Sequence, residues 1–283
     1  GVLIEQLVAM SIQGIGSKSL RTIVSEHQIP QDVLASRQPA ISGVLTSTDY
    51  TVSFATEKYF NLDAIQRTFT AGSEGHIIPP SITGYFGPDQ KYQNNDSFGL
   101  VQFLMMYAEL MVWHPDRQET LEAERQLLAF WQQVAELTPA TIRRQNIDIE
   151  EHSRKIVDRN TLLYILMPAV EKVHSLSYRF KTGAAASSTV LTLVSYKQEN
   201  GEYPIDLEQL VEAKYISALP LDPFSDQPLV YRKTGDDFIL YSVGLDFDDD
   251  GGVQGEKLWA EEGDAVFWPV AEPDSGGNTN DGD

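Results

Sequence analysis

The sequence feature that most constrains the fold is a single apolar stripe between about residues 156 and 198. Its members recur at steps of three and four residues, with one step of seven, which is the spacing of one face of an α-helix. They are Leu166, Val170, Val173, Leu176, Phe180, Ala184, Leu191 and Val194. Pro168 predicts a kink in this helix, and Asn200 with Gly201 predicts its end. A helix of about forty residues needs a partner surface along much of its length.

The residues after this helix predict a short helix and a small antiparallel sheet. The short helix is expected at about residues 206–213. Strand-like runs at 229–233 and 237–243 flank the turn at Thr234, Gly235 and Asp236, and together they predict a hairpin. Residues 265–270 alternate in the manner of a third strand.

The pattern from Leu3 to about Arg159 is mostly helical, and its clearest helices are expected at about 97–113 and 117–137. The fold class is therefore predicted to be α+β, with a long helix packed on a small antiparallel sheet in the second half. We divide the chain into an all-α domain over 1–155, an α+β domain over 156–270, and a disordered tail over 271–283, which is too polar to fold.

The charge of the chain disfavours binding to polyanions. It has 21 basic and 41 acidic side chains, a formal net charge of −20 and a pI near 4.5. At long range this charge opposes nucleic acids and anionic membranes, so we expect no nucleic-acid partner. The chain has no cysteine, which excludes disulfides, thiolate metal sites and cysteine nucleophiles.

Much of the negative charge lies in the last 40 residues, which contain twelve acidic side chains and one lysine. Within them, residues 246–251 read Asp-Phe-Asp-Asp-Asp-Gly, the first six positions of a calcium loop with oxygen ligands. Alternate carboxylates on a tight turn can converge on one hard cation. Asp246, Asp248 and Asp250 are the candidate ligands from this pattern.

The pattern differs from an EF-hand at the twelfth position, where Lys257 replaces the bidentate glutamate, and the preceding segment reads as a strand. A carboxylate could return from farther along the chain, from Glu262 or Asp264. Calcium is the favoured ion, because magnesium prefers fewer protein ligands in stricter geometry. The alternative interpretation is an acidic loop that is only solvated.

Three segments of the second half match the pattern of a known family: Tyr196-Lys197-Gln198-Glu199-Asn200-Gly201-Glu202-Tyr203-Pro204, Leu221-Asp222-Pro223-Phe224 and Tyr241-Ser242-Val243-Gly244-Leu245-Asp246. Over about residues 160–270 the chain therefore resembles the C-terminal globular domain of the major pseudopilin of type II secretion systems. The preceding helical domain makes the arrangement similar to that of envelope proteins of planctomycete-type bacteria, which usually carry an N-terminal anchor.

The resemblance implies a structural Ca²⁺ ion in the closing loop, bound by carboxylates and main-chain carbonyls. Asp246 matches the aspartate of the family motif, Val243 would offer its carbonyl, and Asp264 matches the acidic residue before the last strand. Asp248 and Asp250 are added from the loop pattern. The family and the ligand chemistry thus indicate the same loop.

We expect an exported protein of the periplasm or cell envelope that is non-enzymatic and acts in assembly or in binding a protein partner. Any membrane attachment is expected to come from an N-terminal segment that precedes Gly1. Two alternatives place the site in the helical half, around residues 72–95: an extracytoplasmic hydrolase, or a protein that binds a small molecule or peptide. His76, Tyr85 and Tyr92 could line such a site, and Glu109 with Glu119 is the only candidate acid pair.

Overall fold

The computed structural model describes residues 3–47, 51–69, 114–167 and 170–270. The chain forms two compact units. The first consists of Gly1–Leu7, Thr51–Leu137 and Ile142–Ser175, and the second of Val8–Tyr50, Thr138–Thr141 and Leu176–Asp283. The domain division predicted from the sequence stays a prediction.

The described residues contain helices in both halves of the chain and strands in the second half. The helices are α1 (Leu3–Glu26), α2 (Gln31–Ser47), α3 (Glu57–Thr68), α4 (Arg117–Ala135), α5 (Pro139–Arg144), α6 (Ile149–Ile156), α7 (Thr161–Leu166), α8 (Val170–Asn200) and α9 (Glu208–Glu212). The strands are β1 (Leu221–Asp222), β2 (Gln227–Pro228), β3 (Val230–Thr234), β4 (Asp237–Ser242) and β5 (Ala265–Trp268). The α+β class predicted from the sequence is confirmed.

The first unit is a helical packing of α3, α4, α6 and α7. Helix α4 begins in a capping box, in which Asp116 accepts from the backbone N–H of Glu119 and the Glu119 side chain accepts from that of Asp116. Trp131 is fully buried, and its Nε1–H donates to Ser153 Oγ of α6 at 3.0 Å. The helix predicted at 117–137 is therefore confirmed, with its end at Ala135.

The described residues of the second unit form two antiparallel sheets. β1 pairs with β2, while β3, β4 and β5 form a separate sheet in that order. The hairpin between β3 and β4 pairs Thr234 with Asp237 across a two-residue loop. Gly235 opens this loop with φ of +65°, a conformation that glycine adopts without steric cost. The predicted hairpin and third strand are confirmed.

The core of the second unit lies between one face of α8 and the three-stranded sheet. Helix α1 contributes Val24 to this core, and α2 contributes Leu34. The members from α8 and the sheet are Ala186, Val190, Leu191, Leu193, Phe238, Leu240, Ala265, Phe267 and Trp268. The first two helices thus cover part of the surface that the long helix offers.

Arg21 of α1 lies in this unit with little contact with water. Its Nη1 donates to Ser187 Oγ and to the Gly183 carbonyl of α8, and its guanidinium lies 5.2 Å from the centre of the Phe267 ring. Burial lowers the pKa of Arg21 to about 10. Cation–π attraction and hydrogen bonds partly offset the cost of removing this charge from water.

The long helix is shorter than the sequence predicts. The sequence predicts one long helix that starts at about residue 156. In the structure, helix α6 ends at Ile156, and the chain turns through residues 157–160 before the short helix α7. Arg159 has φ of +59°, which a continuous helix does not permit, and Asn160 caps α7 by accepting from the N–H of Leu163. Helix α8 then runs to Asn200, as predicted. None of the described helices is long and apolar enough to span a bilayer.

Candidate metal site

The candidate site is the loop of residues 243–264, which connects β4 to β5. Its first end is fixed by Asp222, a fully buried residue at the end of β1. Asp222 Oδ1 accepts from Ser242 Oγ at 2.8 Å, and Oδ2 accepts from the backbone N–H of Val243 at 3.1 Å. The chain is thereby held at the point where the strand becomes the loop. Val243, the predicted carbonyl ligand, is buried there.

The two ends of the loop approach each other so closely that glycine is required. Gly244 has φ of +78°, and a Cβ atom added to it would lie 2.7 Å from the Gly263 carbonyl oxygen. Gly263 has φ of +85°, and its Cβ would lie 2.8 Å from the backbone nitrogen of Gly255. A side chain at either position would strain the backbone. At Gly244 it would push the two ends apart, and at Gly263 it would push against the middle of the loop.

Asp246 bridges the two ends. Its Oδ2 accepts from the backbone N–H of Gly263 at 2.7 Å, seventeen residues away, and its Oδ1 accepts from that of Asp248 at 3.2 Å. A hydrogen bond from a backbone N–H to a carboxylate is stronger than one between neutral groups. The first predicted ligand therefore already closes the loop.

Asp264 reaches back across the loop in the opposite direction. It is 1% exposed, and its Oδ2 accepts from the backbone N–H of Gly252 at 2.7 Å. Its Oδ1 is buried and has no hydrogen-bond partner in the described structure. Burial raises the pKa of Asp264, the negative charges of Asp249 and Asp250 add to this rise, and backbone N–H groups oppose it.

Residues 248–250, three aspartates that lie between Asp246 and Asp264 in the sequence, are exposed. Asp248 Oδ1 accepts from the backbone N–H of Asp249. Asp249, which the sequence analysis did not select, makes the contact with the sheet: its Oδ1 accepts from Tyr241 Oη at 2.8 Å and from the N–H of Gly251 at 3.0 Å. Asp250 is also exposed, and its backbone N–H is one of the groups that lower the pKa of Asp264. The DxDxDG spacing gave no signal for Asp249, because it selects alternate positions.

A small apolar cluster lies beside the loop. Tyr178, Phe224 and Val243 are its buried members, with Leu245, Phe247 and Trp259 packed against them. The centre of the Phe224 ring lies 5.3 Å from that of Trp259 and 6.0 Å from that of Phe247. Aromatic pairs at these separations are mutually attractive. This cluster gives the acidic loop an apolar attachment independent of its carboxylates.

The chemistry of the donors fits a hard cation. Calcium takes carboxylate and carbonyl oxygens, and the unpartnered Oδ1 of Asp264 is such an oxygen in a buried position. Asp246 and Asp264 each close the loop, the first at the N–H of Gly263 and the second at that of Gly252. Within residues 3–47, 51–69, 114–167 and 170–270, however, no three histidine, aspartate or glutamate side chains converge to hold an ion. Asp248 and Asp250 thus do not complete a carboxylate cluster, and the calcium site stays a prediction.

Of the candidates from the helical half, only Glu119 falls within the described residues. Residues 72–95, with His76, Tyr85 and Tyr92, and also Glu109, lie outside the described residues. Glu119 belongs to the capping box of α4.

Comparison of the chain with protein-family models, with curated proteins and with solved structures finds no match to any of them.

Proposed function

We propose that the chain is an exported, non-enzymatic protein of the cell envelope, with a calcium-stabilised pseudopilin-like domain, and that it acts in assembly or in binding a protein partner. The order of elements supports this proposal. A long helix is followed by a short helix and then by a β3–β4–β5 meander, with an acidic loop before the last strand. This is the order that the resemblance to the major pseudopilin implies.

The observation that carries the proposal is that two carboxylates each close the loop by accepting from a distant backbone N–H. Asp246 bonds to the backbone of Gly263, and Asp264 bonds to the backbone of Gly252. Each carboxylate thus closes the loop at a different backbone group, and the nearby negative charges of Asp249 and Asp250 act on Asp264. A divalent cation with oxygen ligands would offset the repulsion between these charges and would supply a partner for the buried Asp264 Oδ1.

The proposed location follows from the affinity expected of such a site. Calcium modules outside the cytoplasm bind with dissociation constants of about 0.1 to 1 mM, and their surroundings hold enough calcium to fill them. Two carboxylates and main-chain carbonyls form a site of modest charge, which suits this range. The ion would then be a permanent structural part of the domain, and the partner would meet a rigid loop.

The experiment is thermal unfolding of the chain in 10 mM CaCl₂, in 10 mM MgCl₂ and in EDTA. A site with a dissociation constant of about 0.1 to 1 mM is expected to add about 1.4 to 2.7 kcal/mol at this calcium concentration. For a unit of this size, that gain raises the Tm by about 3 to 10 °C. Magnesium is expected to have a smaller effect.

Two charge-matched variants make the result specific. Asp246→Asn removes a predicted ligand, and Glu212→Gln removes one exposed negative charge from α9. For each variant, the Tm in EDTA is subtracted from the Tm in calcium, so a change in basal stability cancels. Asp246→Asn is expected to lose the calcium effect, and Glu212→Gln to keep it. An equal calcium effect in both variants, or none in the wild type, contradicts the proposal.

A further inference from the structure

Helix α1 carries a row of apolar side chains on the side opposite its buried residues. The members of this α1 row recur at steps of four and three residues, the spacing of one helical face. Five of them are large aliphatic residues that are between 51% and 73% exposed, and the sixth is an exposed serine. They are Ile4, Val8, Ile12, Ile15, Ser19 and Ile23. A helix face with this pattern normally packs against another surface.

The other side of α1 already has its partners. Val24 lies in the core that α8 and the sheet share. Ser187 Oγ of α8 accepts from Arg21 and donates to the Ser17 carbonyl. The fold therefore uses one side of α1 and leaves the α1 row exposed. Large apolar side chains that are exposed singly are ordinary, but a contiguous row of five marks an interaction surface.

The α1 row is symmetric about the middle of the helix, between Gln13 and Gly14. If two copies of α1 pack antiparallel about this point, each member faces another member of the row. The facing pairs are Ile4 with Ile23, Val8 with Ser19, and Ile12 with Ile15. A two-fold contact uses the same patch on both copies, so it requires a patch that is complementary to itself in this way. The first three members also recur eleven residues later, which keeps the row nearly parallel to the helix axis.

Charge and area both fit a second copy in this direction. Glu26 ends the helix on the same face, so parallel helices would place two carboxylates side by side, whereas antiparallel helices separate them by about 37 Å. The aliphatic side chains expose about 500 Å² in each copy, so two copies would remove about 1,000 Å², the area at which a specific interface begins. Exposed small residues beside the row, Ala9, Ser11 and Gly16, would let the two helices approach closely.

We propose that the α1 row is the interface of a homodimer in which the two α1 helices pack antiparallel. The net charge of −20 opposes association, but salt screens this repulsion beyond about 8 Å, and the row itself carries no charge. A membrane surface fits the row less well, because helices that lie on membranes carry lysine and arginine on the polar face, and Arg21 is buried here. This inference does not depend on calcium or on the pseudopilin-like assignment.

The first test is sedimentation equilibrium of the chain in EDTA, from about 1 to 200 μM. The mass is expected to rise with concentration to twice 31.6 kDa. Ile15→Glu places a carboxylate at the centre of the interface and should weaken the dimer at least about 100-fold. Val33→Glu adds the same charge at an exposed valine of α2, outside the row, and should change the dissociation constant by less than about threefold. A chain that stays monomeric at 200 μM, or an equal loss in both variants, would overturn the proposal.

Disulfide cross-linking tests the direction of the helices, because the chain has no cysteine of its own. In the antiparallel pair, Val8 faces Ser19, while each of the two lies about 16 Å along the axis from its own counterpart, too far for a disulfide. A mixture of Val8→Cys and Ser19→Cys proteins should therefore form a cross-linked dimer that neither forms alone. Cross-linking of each variant alone to the same extent would overturn the antiparallel pairing, as would a mixture that does not cross-link. If the chain stays monomeric and binds phosphatidylcholine vesicles instead, the row belongs to a membrane contact and the proposal is wrong.

Discussion

Replacing Asp222 with alanine removes the carboxylate that joins the β1–β2 turn to the end of β4. Three donors lie close to it: Ser242 Oγ at 2.8 Å, the N–H of Phe224 at 3.1 Å and the N–H of Val243 at 3.1 Å. Ser225 Oγ is a fourth, weaker donor at 3.3 Å. Asp222 is fully buried, so water cannot replace the lost acceptor without opening the structure.

The magnitude follows from these donors. A buried donor left without a partner costs about 1 to 3 kcal/mol, and three such donors would cost at least about 3 kcal/mol. Removing a charge from the interior offsets part of this cost, because burial raises the pKa of Asp222 and thus opposes the charged form. We expect Asp222→Ala to lower the free energy of unfolding by about 3 kcal/mol. That is a large part of the roughly 5 to 15 kcal/mol typical of a domain.

Two further variants calibrate this value. In Asp222→Asn, one oxygen can still accept from Ser242 and Phe224, but the new amide N–H₂ faces the N–H of Val243, so about half of the loss is expected. Ser225→Ala removes only the weakest bond and should cost less than about 1 kcal/mol.

The assay is urea unfolding, with amide hydrogen exchange of Val243 and Phe224 to assign the effect to this place. The reasoning is refuted if Asp222→Ala costs no more than Ser225→Ala, or if the Val243 amide keeps its protection in the alanine variant.

Three other changes test separate parts of the structure. Gly14→Ala on α1 would place Cβ 2.6 Å from the Phe180 ring and should lower the free energy of unfolding by about 1 to 2 kcal/mol. Gly16→Ala meets nothing within 4 Å and should raise it by about 0.5 to 1 kcal/mol. Urea midpoints of the two variants that move in the same direction would contradict this. Burial raises the pKa of Glu124, so its contribution to stability is present at low pH and is lost as the pH rises through the raised pKa. Glu124→Gln should therefore be more stable than wild type at pH 8 and lose this advantage towards pH 5; a difference independent of pH would rule out the buried charge. Tyr241→Phe removes the hydrogen bond to Asp249 and should lower the free energy of unfolding by about 0.5 to 1.5 kcal/mol without unfolding the sheet. An unchanged urea midpoint would show that this bond does not stabilise the protein.

The parts of the fold that were predicted correctly have strong local signals. The β3–β4 hairpin follows from two strand-like runs around a turn with Gly235, whose positive φ the structure confirms. The end of α8 follows from Asn200 and Gly201, and Gly201 adopts φ of +85°. Local rules suffice here, because the turn and the cap each depend on a few neighbouring residues.

The parts that were missed depend on contacts distant in the sequence. An apolar stripe shows that α8 needs a partner, but it does not identify α1 and α2, which share its core through Val24 and Leu34. β1 and β2 have two residues each, too few for an alternating pattern. The predicted helix was too long at its start because the apolar spacing continues through Leu166. The backbone of Arg159 and the cap at Asn160 separate α6 from α7, and the extended backbone of Met167 ends α7 before α8.

The sequence indicated residues that shape the loop, while the calcium site stays a prediction. Charge and glycine spacing indicated the loop, and the structure shows that Asp246 and Asp264 both close it. Asp222 was noted only as part of a resemblance, although an aspartate before proline is a frequent turn former whose side chain accepts from the backbone two residues later. The bond from Asp222 Oδ1 to the N–H of Phe224 has this form. Its bonds to Ser242 and Val243 depend on tertiary structure and left no trace in the sequence.

The most direct test of the account is amide hydrogen exchange of the whole chain in calcium and in EDTA. Calcium bound by Asp246 and Asp264 would slow exchange across residues 244–264, most of all at the Gly252 and Gly263 amides that these carboxylates hold. Exchange in α4 of the other unit should stay the same. Equal exchange of the loop in both conditions would contradict a calcium-closed loop, and with it the proposed role of the domain.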